Sequence, residues 1–596
     1  MDWLPREEYS NSDPGMLDGM TIRADTVYGQ SSRSPRHFLP HFCMSKTCDH
    51  CRTAFEVTQE DRAFYEKMDV PEPRTCHTCR LRRRLMERNA RHLYYTKCAL
   101  TGKQIISQYR EDVPFPIYST QAWWSDDWDA TSYGRDVDFS RPFFEQFKEL
   151  LNVVPHLALF VSGEGTMINS EYNNCAGYLK NCYLIAESDY NEDCFYSNLL
   201  KNCKSVCDCS VCYDCERCYE CIDCLKCYNV QFSQDCQNCS DSFFLKNCIG
   251  CRDCICCMNQ RQKQYMILNK QYTKEEYEKL KASMDLQTRT GIERIRQKSQ
   301  EFFLSQPHKA FQMERTQDCV GDHLYDSKNA YHCFDSKDLE DCRYCAEVSL
   351  GVKSCMDYNS WGDKAELVYQ SAACGDQIYN LRFCSTCITN VYNADYCVQC
   401  TGSSDLFGCV GIKKQKYCIL NKQYTKEEYE KLRSQLIEHM KKTGEWGEYF
   451  PQDLCPFSYN ESIAMDYVPL SKADAEKLGW NWREEEEGKK YLGPEFAVPD
   501  RVSELTDDVT GKVLMCEETR KPYKIIAQEL AFYRSMNIPA PKLSPDARHL
   551  RRMEKRNPHI LYTRECKNCS KTVQSTFAPN RKEVLYCEEC YLKSVY

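Results

Sequence analysis

The chain has 596 residues, 42% of them hydrophobic, and a formal net charge of −9. It has apolar side chains enough for several cores, which excludes wholesale disorder, and its acidic balance excludes a polycation that coats nucleic acid. Its 43 cysteines need a physical explanation.

The opening MDWLPREEYSNSDPGM has no basic segment followed by an apolar run, so no secretory signal is expected. No stretch of about 18 apolar residues predicts a membrane helix. A chain kept in the cytoplasm holds its thiols reduced, and an odd cysteine count speaks against a complete disulfide framework. The expectation is a cytoplasmic protein without a membrane partner.

After a tail over 1–47, CDHC (48–51) and CHTC (76–79) form a C-x2-C-x24-C-x2-C pattern. Two residues between thiolates let both sulfurs turn toward one ion, and two such pairs close a tetrahedron. The pattern predicts a structural zinc on Cys48, Cys51, Cys76 and Cys79. A basic segment follows, with Arg80, Arg82, Arg83, Arg84, Arg88 and Arg91 on an expected helix. Such arginines can grip phosphates; equally, they can form a helix face paired with nearby acids. The aromatic-rich stretch WWSDDWDATSYGRDVDFSRPFFEQF (123–147) holds the paired acids Asp126 and Asp127, which read as caps or surface groups rather than as a catalytic pair.

The run from Cys48 to Asn89, with its FYEK, Pro-x-Pro and CxxCR, resembles uncharacterised bacterial cysteine-rich proteins with a probable zinc-ribbon, treble-clef-like domain. The 123–147 stretch and the Cys/Tyr/Asn-rich middle resemble longer members of that group. The resemblance implies zinc on the same four cysteines and brings no established activity.

From Cys182 to Cys257, sixteen cysteines share one phase of a three-residue period, including the unbroken run CSVCYDCERCYECIDCLKC (209–227). Steps of three wind sulfurs all around a helix, and odd steps alternate faces on a strand. A coil that turns corners brings such positions inside repeatedly, as a β-solenoid does. KNC recurs at 180, 201 and 246, which suggests coils of about 20–24 residues. TKEEYEKLKASM (273–284) then opens an amphipathic helix with Thr273 and Glu276 spaced as a capping box.

The middle repeats. YMILNKQYTKEEYEKL (265–280) returns as YCILNKQYTKEEYEKL (417–432), and KNCYLIAESDYNEDCFY (180–196) answers KNAYHCFDSKDLEDCRY (328–344). In the second copy Ala330, Val368 and Ser371 stand for Cys182, Cys218 and Cys221, while Cys342 and Cys374 keep Cys194 and Cys224. Alanine, valine and serine replace small inward residues, not thiolate ligands, which favours a packed thiol ladder over a metal cluster. A metal-thiolate cluster confined to the first copy and redox buffering are the alternatives. The acidic helix SKADAEKLGWNWREEEEGKK (471–490) reads as solvated surface.

The ends repeat as well, at a constant offset of 468 from Ala63 onto Ala531. The second end holds CKNC (566–569) and CEEC (587–590), which predicts a zinc on Cys566, Cys569, Cys587 and Cys590. The two ends have complementary losses. Cys48 maps onto Cys516, with Thr519, Ser544 and Ala547 for the other ligands; Cys566 maps back onto Cys98, with Thr101, Ser119 and Ala122. Arg548, Arg551, Arg552, Lys555 and Arg556 repeat the basic helix.

The expected fold is mixed and mainly β: two duplicated, parallel β-helix-like solenoids flanked by zinc-ribbon units, with helical connectors. Its order is tail 1–47, zinc-ribbon unit A 48–165 with an aromatic-rich extension, solenoid B 166–272, helical connector 273–315, solenoid B′ 316–424, helical connector region 425–511 and zinc-ribbon unit A′ 512–596. No phosphate-cradling glycine loop, G-x-S-x-G or H-E-x-x-H points to an enzyme. The primary expectation is a zinc-binding, non-enzymatic scaffold with an unknown protein partner. The alternative is an RNA- or ribosome-associated protein gripping phosphates through Arg80, Arg82, Arg83, Arg84, Arg88, Arg548, Arg551 and Arg552; the second alternative is metal or thiol buffering by the cysteine-rich coils. Elemental analysis of the full chain is expected to find about two zinc ions, and five or more would mark the cysteine run as a metal cluster.

Overall fold

Every third residue from Cys175 to Leu268 has a positive φ, between 48° and 65°. The computed structural model describes residues 45–595 apart from 164, 349–350, 361–363, 374, 376–377, 386–388 and 485–494. The tail to 44, Cys374 and the acidic run at 485–490 lie outside the described residues. Each triplet has one left-handed residue, which turns the chain sharply. Four triplets close one coil of twelve residues: Cys212 pairs with Cys224 and Cys224 with Cys236, in parallel register. Asparagine and aspartate tolerate the left-handed corner, and their side chains tie one coil to the next. Asn181 donates to Asp193 at 3.0 Å, Asn202 to Asp214 at 3.1 Å and Asn229 to Asp241 at 2.9 Å.

The residue after each corner points inward, and the cysteines of the three-residue phase fall there. Cys209, Cys212, Cys215, Cys218 and Cys221 are fully buried. Many of the thiols sit near the carbonyl two residues back and one nine residues on: Cys203 Sγ is 3.4 Å from Lys201 O and 3.2 Å from Cys212 O, and Cys215 repeats this with Tyr213 and Cys224. A small apolar group with a weak donor suits that place. Burial pushes the thiols of Cys209, Cys236 and Cys248 well above their ordinary range. Serine can do the same work. Ser197 donates to Phe195 O at 2.8 Å and accepts from the Cys209 N–H at 3.0 Å. Alanine and valine forgo the weak bond and keep the packing, as at the fully buried Ala330 and Val368.

The twelve-residue coil corrects the expected length of about 20–24 residues. The KNC spacings of 21 and 45 are multiples of three but not of twelve, so the motif recurs on different sides of the coil. Strands of 167–271 form one mostly parallel sheet of fourteen strands. Between 313 and 423 the parallel pairs fall into smaller sheets and the register wanders. It is eleven at Met313–Leu324, thirteen at Arg343–Met356 and Met356–Tyr369, and twelve again at Tyr392–Ser404.

Each stack ends in an antiparallel turn, Met266 with Gln271 and Cys418 with Gln423. A helix follows, Lys274–Met284 or Lys426–Thr443, and each starts with the expected capping box. Buried Tyr277 and Tyr429 pin these helices near the last coils, which covers the strand edge. The apolar clusters show how the ends are placed. Tyr65 packs with Tyr369, Phe383 and Tyr396 of the second stack, and Tyr533 packs with Tyr219 and Phe532 beside the first. The mainly parallel β architecture with helical connectors is as expected.

The coil geometry makes Cys218→Val a mild change, below about 1.5 kcal/mol, since it swaps one small inward residue for another. Cys218→Asp buries a carboxylate without a partner and is expected to cost several kcal/mol. Urea denaturation of the two variants measures the difference.

Candidate metal centres and buried arginine locks

Four short hairpins share one turn. The strand pairs are Ser45–Thr47 with Ala54–Glu56, Tyr94–Lys97 with Gln104–Ser107, Leu514–Met515 with Pro522–Tyr523, and Tyr562–Glu565 with Thr572–Ser575. A buried cysteine opens each turn: Cys48, Cys98, Cys516 and Cys566. Its N–H reaches the carbonyl five residues on at 2.9 Å in all four cases. The left-handed residue four places after it is Arg52, Gly102, Arg520 or Ser570. Downstream of each hairpin a helix begins directly after Cys76, Ser119, Ser544 or Cys587; Gln59–Lys67 and Ala527–Met536 intervene in the first and third cases.

In two of the four knuckles the predicted thiols converge. Cys48, Cys51, Cys76 and Cys79 lie with their sulfurs within 4.8 Å of one another, and so do Cys566, Cys569, Cys587 and Cys590. The Cys51–Cys76 and Cys569–Cys587 sulfurs are each 3.7 Å apart. A tetrahedron with metal–sulfur bonds of about 2.3 Å has edges of about 3.8 Å, so both sets can hold a metal ion. The Cys76 N–H points at Cys48 Sγ at 3.3 Å. The Cys76 thiol is held down to about 5, chiefly by the Cys79 thiol. Burial works against Cys566, yet the backbone N–H groups of Cys587 and Cys569 bring it down to about 6. The first set is mostly buried, whereas Cys569 of the second is exposed.

The other two knuckles hold the same turn without four thiols. Ser119 and Ser544 cap their helices, accepting from the N–H of Ala122 at 3.2 Å and of Ala547 at 3.3 Å. Serine at the cap satisfies a free helix N–H, and Cys98 and Cys516 remain as buried single thiols. Among the described residues, the thiols of the 209–227 run do not form a converging set of this kind.

The arginines of both basic helices mostly point inward. On His77–Met86, Arg80 and Arg84 share Asp357 at 2.7 and 2.9 Å. On Pro545–Met553, Arg548 and Arg552 share Asp208 at 3.3 and 2.8 Å. Both aspartates are fully buried left-handed corners, one in each stack. The matched contacts continue outward. Arg80 lies over the Tyr344 ring and Arg548 over Tyr196. Tyr344 bonds Asp61 at 3.1 Å, and Tyr196 bonds Glu529 at 2.9 Å. Asp61 and Glu529 occupy equivalent places in the first turns of Gln59–Lys67 and Ala527–Met536. A third arginine from each end bridges both stacks: Arg88 meets Glu187 and Glu347, and Arg556 meets Asp223 and Asp335. The N-terminal end therefore locks onto the second stack and the C-terminal end onto the first.

This placement departs from the phosphate-gripping expectation. Arg80, Arg82, Arg84, Arg88, Arg548 and Arg552 are all at most 8% exposed. Arg82 donates to the Tyr459 hydroxyl at 3.1 Å, and Arg83 donates to the carbonyls of Tyr449 and Phe450. Arg551 alone of the eight is exposed, paired with Glu518 at 2.7 Å. Asp126 and Asp127 lie exposed, as the surface reading expected. The aspartates that receive the arginines escaped sequence reading, because nothing local distinguishes Asp208 or Asp357 from other corner acids. Comparison with protein-family models, curated proteins and solved structures finds no match.

Asp208→Ala leaves Arg548 buried with only Glu529, and Arg552 without its carboxylate. Breaking such a buried pair is expected to cost about 3–5 kcal/mol, against less than about 0.5 kcal/mol for Arg551→Ala. Denaturation midpoints together with limited proteolysis of the C-terminal end test both.

Proposed function

We propose that this chain is a zinc-stabilised, non-enzymatic scaffold. In this reading it is an internally duplicated protein in which two β-solenoids are clamped by two zinc-ribbon ends, each end on the stack that lies farther from it in sequence. The observation that carries it is the inward turn of the arginines: the most basic helices are spent on holding the molecule together. Zinc suits two sets of four thiolates because the closed tetrahedron leaves no position for substrate. The resemblance to cysteine-rich zinc-ribbon proteins agrees with that assignment.

The outer faces of the stacks are what remains for a partner. Lys180, Glu192, Lys204, Glu216 and Tyr228 climb one side of the first stack, one per coil. Lys328, Glu340, Lys353, Glu366 and Tyr379 repeat the order on the second. Neighbouring charges pair along the ladder, Lys180 with Glu192 at 2.8 Å and Lys353 with Glu340 at 2.7 Å. Each ladder reaches an exposed tyrosine, Tyr228 at 48% and Tyr379 at 49%. Tyrosines of this kind anchor protein interfaces.

A tagged full chain is expected to capture a protein partner from its own cell in a nuclease-insensitive way. The Tyr228→Ala/Tyr379→Ala double variant should lose that partner while keeping its denaturation midpoint. Salt-sensitive RNA capture that is unchanged in this variant and lost in Arg551→Ala would replace the scaffold reading with the nucleic-acid one.

A further inference from the structure

Where the corners of the two stacks face each other, one partly buried cluster has no counterpart among the described residues on the matched side of the molecule. Asp223 and Asp235 are left-handed corners on consecutive coils of the first stack, and His323 is a left-handed corner of the second. His323 Nε2 lies 3.1 Å from Asp235 Oδ1 and 3.8 Å from Asp223 Oδ2. One ligand atom from each of the three lies within 4.8 Å of the others. A cavity of about 40 Å3 adjoins them, room enough for an ion and a water. At the matched positions Asn174 and Cys175 stand for Asp322 and His323, and Arg91 stands for His559. Docking of the ends does not require this acid and imidazole set, since the other side does without it.

Four carboxylates crowd the cavity. Asp223, Asp235, Asp322 and Asp335 all line it with side chains at most 11% exposed. Arg556 binds Asp335 at 2.7 Å and reaches Asp223 only at 3.3 Å. Lys246, Lys309 and Lys555 also line it. A second observation points the same way. His559, 6% exposed, lines the cavity with Nε2 on Asp335 at 2.6 Å, and its buried Nδ1 has no hydrogen-bond partner.

We propose that Asp223, Asp235 and His323 hold a divalent transition-metal cation that staples the two stacks together. Two carboxylate oxygens and one imidazole nitrogen, completed by water, form an N/O set suited to Mn2+, Fe2+ or Zn2+ and distinct from the thiolate sets at the ends. His323 would bind as the neutral imidazole, with Asp322 and Asp335 beside its other nitrogen at 3.4 and 3.9 Å orienting the ring.

Mn2+ is the discriminating probe, because thiolate sets disfavour it. Titration of the full chain, followed by loss of the free Mn2+ paramagnetic signal, should show one bound ion per chain. Asp235→Asn and His323→Gln should each weaken binding by about 100-fold or more, while elemental analysis finds the thiolate-bound metal unchanged, which also reports that the variants fold. Absence of Mn2+ binding to the wild-type chain, or binding retained in His323→Gln, overturns the proposal and leaves His323 as a protonated imidazole among carboxylates. Failure of the thiolate sites to hold zinc would not alter the Mn2+ readout, so the two readings fail separately.

Discussion

A single buried carboxylate shared by two guanidiniums holds each end of this chain to a coil stack. Asp357 takes Arg80 and Arg84; Asp208 takes Arg548 and Arg552. Removing three charges from water is expensive, and only close geometry with further hydrogen bonds offsets it. The structure supplies both. The arginines stand one helical turn apart on the same face, so both reach one corner residue. Tyrosine rings cover Arg80 and Arg548, and the carboxylates of Asp61 and Glu529 orient those tyrosines. A lock of this kind adds less net stability than an apolar contact of similar size. It is strict about position, and a carboxylate at the wrong corner leaves two cations buried and unpaired.

That strictness depends on the coil. In the first stack, with one left-handed residue in every triplet, corner side chains stand at fixed angles and at a fixed rise. The same constraint explains the cysteines. The inward position after each corner is narrow, lies beside two carbonyl oxygens and recurs every three residues. Cysteine fills it with a small apolar group and a weak donor. Serine fills it with a stronger donor, while alanine and valine fill it by packing alone. Thiols so placed gain their regular spacing from the backbone.

How much of this was legible followed the range of the physics involved. The converging thiols, the capping boxes at Thr273 and Thr425 and the inward phase of Cys182–Cys257 are local patterns, and the structure has all of them. The coil length was not legible. It depends on left-handed corners at residues such as Leu184, Val211 and Phe232, whose side chains give no hint of that conformation. The destination of the arginines was hidden for another reason. Arg80 and Asp357 are separated by 277 residues, and a basic helix looks the same whether its partner is a phosphate or a buried aspartate. Only the persistence of Arg84 and Arg88 as Arg552 and Arg556 hinted at a structural task.

The complementary loss of thiols between the two ends has a consistent place in the fold. The first knuckle of the N-terminal end keeps four thiols, and Cys76 and Cys79 begin the helix whose arginines lock onto Asp357 of the second stack. The second knuckle of the C-terminal end also keeps four, and its strand Val584–Tyr586 pairs with Pro307–Lys309, the entry to that same stack. Of the two serine-capped knuckles, one carries the helix that locks onto Asp208 of the first stack; the other pairs Ile117 and Tyr118 with His156 and Leu157 at the first stack's entry, and its Trp123 carbonyl accepts from Lys413 of the second. The first stack has coils of uniform length and the dense thiol ladder. The second has coils of eleven to thirteen residues and fewer thiols. Both thiol-complete knuckles thus grip the irregular stack, where the coil itself supplies less regular pairing. The regular stack holds its ends with serine-capped knuckles, packing and the Arg548 and Arg552 lock on Asp208.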